Sequence, residues 1–280
     1  MITDAIANRI SGLKALLLDM DGTLYVGDRA MTGAPAFIAA LKAKQIPYLV
    51  FTNNSSRAKE VYQQRLAALG MPTAIDQILT SGDASASYLS AETTYRRPYV
   101  LGTDALKTAC RDAGLKPTEA ADNPDCVLLG YDTSVTYETL TNACLLVAKG
   151  LPYYATHADK TCIDPRGLLP DAGALIAAIE TTTSKRPTVL GKPAYAMLGA
   201  ALRRLGTTPH ELAIVGDQLD TDMTMGHDHD VLSCLVLTGE TSKERLAKSG
   251  VTPDMTVAHI GDFHTILREC GLLSSPLDGS

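Results

Sequence analysis

The stretch Lys14-Ala15-Leu16-Leu17-Leu18-Asp19-Met20-Asp21-Gly22-Thr23-Leu24 sets an apolar run directly against two acidic residues and a glycine. A short run without polar alternation is the pattern of a strand covered on both faces, as strands in parallel sheets are. Two further runs end alike: residues 46–51 lead to Thr52-Asn53-Asn54, and residues 212–215 lead to Gly216-Asp217. Helical spacing follows over 34–44. It recurs over 57–69, with Ser55 or Ser56 as N-cap and Gly70 as the stop. A third helix is expected from Pro193 through Met197, Leu198, Ala201 and Leu202 to Gly206. Strands alternating with helices define an α/β fold with a Rossmann-like, mostly parallel sheet.

In such sheets ligands bind beyond the carboxyl ends of the strands. The polar clusters stand at those ends, although nearly two hundred residues separate Asp19 from Asp217. Asp19, Asp21, Asp217 and Asp222 would then share one crevice. Crowded carboxylates are costly unless protons or a cation neutralise them, and hard oxygen ligands suit magnesium. A calcium loop beginning at Asp19 fails on spacing: Gly22 falls at position four where such loops need glycine at six, and Ala30 occupies the place of the bidentate glutamate. Neither GxxxxGK[ST] nor GxGxxG occurs, which excludes those nucleotide-binding loops.

At 280 residues the chain exceeds what one hydrophobic core usually fills. Its 45% hydrophobic and 20% charged residues are those of a globular protein, and the net charge of −6 offers no basic stripe for nucleic acid. No apolar stretch approaches the roughly 18 residues of a membrane span, and the opening Met1-Ile2-Thr3-Asp4 lacks the basic and apolar regions of a leader. A cytoplasmic protein without membrane or nucleic-acid partners is expected. Cys110, Cys126, Cys144, Cys162, Cys234 and Cys270 form no CxxC pair and read as reduced, structural thiols. The tail Ser274-Ser275-Pro276-Leu277-Asp278-Gly279-Ser280 reads as a frayed terminus.

Four motifs in order carry a resemblance: Asp19-Met20-Asp21-Gly22-Thr23-Leu24, Phe51-Thr52-Asn53-Asn54, Gly191-Lys192-Pro193, and Gly216-Asp217 through Thr221-Asp222. The chain resembles the haloacid dehalogenase superfamily, in its branch of NagD-like and 4-nitrophenylphosphatase-like enzymes with a large α/β cap. The resemblance implies a phosphatase in which Asp19 is the nucleophile, forming an aspartyl-phosphate, and Asp21 the general acid and base. It implies magnesium held by the Asp19 carboxylate, the Asp21 backbone carbonyl and Asp217, with Asp222 gripping a bound water. Lys192, at a helix start, would add a fixed cation, and Thr52 and the Asn53 backbone would donate to phosphoryl oxygens. Gly22 lets the chain bend and Thr23 braces the turn, and Gly22, Asn53 and Asn54 are expected to bind the substrate. Val26-Gly27-Asp28-Arg29 resembles the flap of such enzymes.

The chain is expected to divide into a catalytic core, 1–83 and 183–280, and an inserted cap, 84–182. The cap reads as strands at 98–101, 126–131 and 152–156 and helices at 105–113, 137–148 and 172–180. By resemblance the cap roofs the crevice and sets specificity, so its polar loops, Ala155-Thr156-His157-Ala158-Asp159 and Asp164-Pro165-Arg166-Gly167, are the candidates for substrate contact, His157 and Asp159 foremost. His157 stands where many relatives carry Asn and serves equally well as a hydrogen-bonded loop residue. Asp132 reads as a cap for the next helix. His227-Asp228-His229-Asp230 lacks further ligands nearby and reads as a solvated turn rather than a zinc site. The expected substrate is a small phosphorylated metabolite: a sugar phosphate, a polyol phosphate or a nucleoside monophosphate. Phosphoryl transfer to another hydroxyl, as in a mutase, and non-catalytic binding of a phosphorylated ligand are the alternatives. The sequence leaves a homodimer open.

Overall fold

The computed structural model describes residues 3–164 and 166–273. The chain divides into two compact units, one of Met1–Thr52, Glu60–Leu79 and Ala201–Ser280, the other of Asn53–Lys59 and Thr80–Ala200. The strands in chain order are β1 (Ala15–Asp19), β2 (Tyr25–Val26), β3 (Arg29–Ala30), β4 (Tyr48–Thr52), β5 (Ile78–Thr80), β6 (Pro98–Leu101) and β7 (Cys126–Leu129). They continue with β8 (Tyr153–Ala155), β9 (Thr161–Asp164), β10 (Gly167–Pro170), β11 (Thr188–Val189), β12 (Leu212–Gly216), β13 (Leu232–Val236) and β14 (Met255–Val257).

In the first unit a six-stranded sheet runs in the order β14-β13-β12-β1-β4-β5. β1 lies centrally, parallel to both neighbours, with Leu18 opposite Val215 and Asp19 opposite Phe51. Every residue of β1, β4, β12 and β13 is buried, which is why these strands read as unbroken apolar runs. Alternate residues Leu16, Leu18, Val50, Ala213 and Val215 pack with Phe37, Ile38 and Leu41 of the helix Ala34–Ala43 and with Phe263 and Leu267 of the helix Ile260–Glu269. Phe37 and Phe263 meet edge to face, with ring centroids 5.9 Å apart.

In the second unit the four-stranded sheet β11-β8-β7-β6 is parallel throughout. One face packs Tyr99, Leu101, Val127 and Leu129 on the helices Tyr137–Ala148 and Ala172–Thr183. The other packs Val100, Cys126 and Leu128 on Ala86, Leu89, Leu106 and Cys110 of the helices Ser81–Glu92 and Asp104–Asp112. The antiparallel pair β9-β10 forms a separate hairpin.

Several expected boundaries move. The helix expected from residue 57 begins at Lys59, because Ser55 is held by Thr156 and Ser56 donates to Asn54 Oδ1, so neither caps it. The helix expected from Pro193 begins at Tyr195. Thr136, not Asp132, caps the helix Tyr137–Ala148; Asp132 Oδ1 instead accepts from the Ser134 N–H at 2.8 Å. His227 and Asp228 end the short helix Thr224–Asp228 and are exposed. Pro165 and Ser274-Ser275-Pro276-Leu277-Asp278-Gly279-Ser280 lie outside the described residues. Among the described residues no helix is long and apolar enough to cross a membrane.

Cys110, Cys126, Cys144 and Cys234 are buried free thiols. Burial pushes Cys110 up to about 12 and raises Cys126 and Cys234 as well. Because the thiolate is the nucleophile, iodoacetamide at pH 8 should leave these three unmodified in the native protein and alkylate them after denaturation, as read by peptide mass spectrometry. The Phe37–Phe263 contact gives a second test: Phe263→Ala should cost about 3–5 kcal/mol in urea unfolding, whereas Leu168→Ala, at an exposed hairpin position, should stay within about 0.5 kcal/mol.

Candidate active site

Asp19 ends β1, and Asp217 follows directly on β12, its neighbour. Asp222 lies in the wide turn Leu219–Met223 that leaves β12. These three residues are buried, and one carboxylate oxygen of each lies within 4.8 Å of the others. Sequence separation is overcome by the sheet: parallel neighbours bring their carboxyl ends to one edge.

The cluster is held by backbone. The Glu240 N–H donates to Asp217 Oδ2 at 2.6 Å and the Thr241 N–H to the Asp217 carbonyl at 3.2 Å. The Gln218 N–H donates to Asp222 Oδ2 at 3.3 Å. Glycines make room: a Cβ on Gly239 would overlap Asp217 Oδ2, and one on Gly216 would overlap the Asp222 side chain. Gly22, with φ +84°, would bring a Cβ to 2.5 Å from Asp217 Oδ2. The loop 238–241 after β13 thus belongs to the site, and sequence reasoning missed it. Glu240 in turn pairs with Arg245, which also reaches Asp220 at 2.8 Å.

Asp21 is exposed in the turn after β1, where the Gly22 N–H donates to the Tyr25 carbonyl at 2.9 Å. Its carboxylate is not among the three that cluster. Thr23 is buried, but its hydroxyl has no hydrogen-bond partner among the described residues, so it does not brace the turn through its side chain. The residues expected as a flap lie in the β2-β3 hairpin, which Arg65 contacts: its guanidinium sits 5.0 Å from the Tyr25 ring centroid and 3.0 Å from Asp28. Thr52 is buried at the end of β4.

A second constellation forms in the other unit. The Asn53 amide brackets the backbone of one residue: its Oδ1 accepts from the Lys192 N–H at 2.9 Å, and its Nδ2 donates to the Lys192 carbonyl at 3.3 Å. Nδ2 also reaches Asp159 Oδ2 at 3.3 Å. This grip on the Lys192 peptide explains why the helix waits until Tyr195. Lys192 is buried, and a Cβ on Gly191 would overlap the Thr156 carbonyl. Burial raises the Asp159 pKa, while the nearby His157 and Lys192 side chains and the Asn53 amide act the other way. Asn54 Oδ1 accepts from the Ser56 N–H at 2.9 Å, forming a local turn. His157 is fully buried, with Nδ1 2.9 Å from Thr156 Oγ1 and Nε2 2.9 Å from Asp171 Oδ1. Neither ring nitrogen is left to face a substrate. Asp164 and Arg166 pair with each other at the surface.

Three buried carboxylates arranged in this way suit a hard divalent cation. Residues 16–116 match the family model of haloacid dehalogenase-like hydrolases, and residues 189–263 match a second, HAD-hydrolase-like model. An acid sugar phosphatase of Staphylococcus saprophyticus is 34% identical over 258 residues, covering 91% of this chain and 97% of that protein. A 5′-nucleotidase of Bacillus subtilis is 34% identical over 250 residues, covering 89% and 97%. Among solved structures, a 4-nitrophenylphosphatase from Thermotoga maritima superposes with a TM-score of 0.87 at 36% identity, covering 92% of this chain and 98% of that one. The chain belongs to the haloacid dehalogenase-like hydrolases, as a phosphatase of the NagD and 4-nitrophenylphosphatase branch.

The glycine contacts give a direct test. Gly239→Ala should weaken divalent-ion affinity about 10- to 100-fold in calorimetric titration, since it displaces Asp217. Gly250→Ala, where an added Cβ meets nothing within 4 Å, should leave it unchanged.

Proposed function

We propose that this protein is a magnesium-dependent phosphomonoesterase that works through a phosphorylated Asp19 and acts on small phosphorylated metabolites. The clustering of Asp19, Asp217 and Asp222 carries this reading. Magnesium would be held by Asp19, the Asp21 carbonyl and Asp217, with Asp222 supporting it through a bound water, and would neutralise the phosphoryl charge and fix its orientation.

The chain's own groups supply the rest. An Asp19 carboxylate oxygen attacks phosphorus, and the bond from phosphorus to the ester oxygen breaks. Asp21, exposed on its turn, gives its proton to the departing alkoxide. Asp21 then takes a proton from water, whose oxygen attacks phosphorus, releases inorganic phosphate and restores Asp19. Lys192 provides a fixed cation for the transferring group, and the Thr52 hydroxyl and Asn53 N–H donate to its oxygens. Segment 84–182 acts as the specificity cap. The names of the relatives, acid sugar phosphatase and 5′-nucleotidase, favour a sugar phosphate or nucleoside monophosphate as substrate.

Asp19→Asn should abolish turnover while leaving the fold intact, because an amide is not a competent nucleophile. Quenching wild-type turnover in acid and reducing with borohydride should convert residue 19 to homoserine. Homoserine elsewhere, or undiminished phosphate release by the variant, would remove Asp19 from its role. A screen of phosphorylated metabolites ranked by kcat/KM should place sugar phosphates or nucleoside monophosphates first.

A further inference from the structure

The second unit contains a buried row of hydrogen-bonding groups that runs from a backbone N–H to a carboxylate. The Tyr131 N–H donates to Ser55 Oγ at 3.0 Å. Ser55 Oγ lies 3.0 Å from Thr156 Oγ1, which lies 2.9 Å from His157 Nδ1. His157 Nε2 lies 2.9 Å from Asp171 Oδ1, and that oxygen also accepts from the Ala172 N–H at 2.5 Å. Ser55, Thr156, His157 and Asp171 are 2%, 0%, 0% and 5% exposed, so the row is shielded from bulk solvent.

Its two ends fix its direction. A backbone N–H can only donate, and the Asp171 carboxylate accepts. The assignment that leaves no hydroxyl hydrogen of the row unpaired has Ser55 donating to Thr156, Thr156 donating to Nδ1, and the imidazole carrying its hydrogen on Nε2 toward Asp171. The hydrogen bonds then run one way through five groups, each polarising the next.

The row ties together the segments that hold the Lys192 peptide. Ser55 is two residues beyond Asn53, whose amide brackets that peptide. His157 is two residues before Asp159, which takes the Asn53 amide hydrogen, and the Asp159 carbonyl accepts from the Gly173 N–H beside Asp171 at 2.8 Å. The Thr156 carbonyl lies so close to Gly191 that a Cβ there would overlap it. A shift of Thr156 or His157 would therefore move both Asn53 and the Gly191-Lys192 turn.

We propose that His157 is a positioning residue: by joining Thr156 to Asp171 it keeps Asn53, Asp159 and the Lys192 peptide in register. The inference rests on the role given above to Lys192, because the gain is a correctly placed cation.

Two readouts test it. In the full-length protein with labelled histidine and asparagine, NMR should show His157 as the Nε2–H tautomer and slowly exchanging Asn53 amide hydrogens. Thr156→Val, nearly isosteric, should speed that exchange, and Thr156→Ser should restore it. An Nδ1–H tautomer, or an Asn53 amide indifferent to Thr156→Val, would overturn the row. In kinetics with 4-nitrophenyl phosphate at saturating magnesium, Thr156→Val and His157→Gln should lower kcat about 10- to 100-fold with the magnesium requirement unchanged, and Thr156→Ser should recover it. Wild-type kcat in folded Thr156→Val and His157→Gln would refute the positioning role. A wild-type protein inactive on every phosphomonoester would instead defeat the phosphatase proposal, and the Asn53 exchange would still decide the positioning claim.

Discussion

Three carboxylates buried within 4.8 Å of one another are the constraint on which the first unit depends. Like charges so close, away from water, repel strongly unless a proton or a cation intervenes. The fold does not relieve that repulsion by distance. It fixes the carboxylates instead, Asp19 and Asp217 at the ends of paired parallel strands and Asp222 one turn later. Backbone N–H groups of Gln218 and Glu240 donate to Asp222 and Asp217. Glycine at 22, 216 and 239 lets the backbone approach side chains that a Cβ would displace. An arrangement this constrained and this costly suits a divalent cation.

Under the role proposed for Lys192, the second unit meets a different requirement, the placement of a long and flexible cation. A lysine side chain has many rotamers, so its backbone must be fixed before its ammonium can be aimed. The Asn53 side-chain amide pairs with both the N–H and the carbonyl of Lys192, and Lys192 itself is buried. Asparagine at this position thus acts on the protein through its side chain.

How much of this was legible in the sequence follows from where each residue sits. Asp19, Thr52 and Asp217 stand at the ends of runs such as Leu16-Leu17-Leu18 that are buried on both faces, so strand and site could be read together. The strand Pro98–Leu101 and helix Tyr137–Ala148 of the second unit carry equally plain patterns. The helix Ser81–Glu92 did not, because Ser81, Gly82, Ala84, Ser85 and Ala86 are buried without being large and apolar. A cap boundary drawn at 84 consequently falls inside it. The hairpin β9-β10 was missed because its described residues include many exposed ones and show no period-two alternation. The helices begin at Lys59 and Tyr195, two residues later than the local pattern predicts, for one reason: Ser55 and the Lys192 backbone, ordinary cap and first-turn groups locally, are claimed by partners 101 and 139 residues away. His157 is the same lesson in a loop, since only the fold shows that Asp171 waits for its second nitrogen.

If the carboxylate cluster holds a divalent cation, magnesium will stabilise the folded protein, and thermal unfolding with and without magnesium measures that. Wild type should gain stability with magnesium, by about 2.7 kcal/mol at a concentration one hundred times the dissociation constant. Asp217→Asn, with one charge removed, should lose that response. An equal magnesium response in both proteins, or none in wild type, would contradict the account.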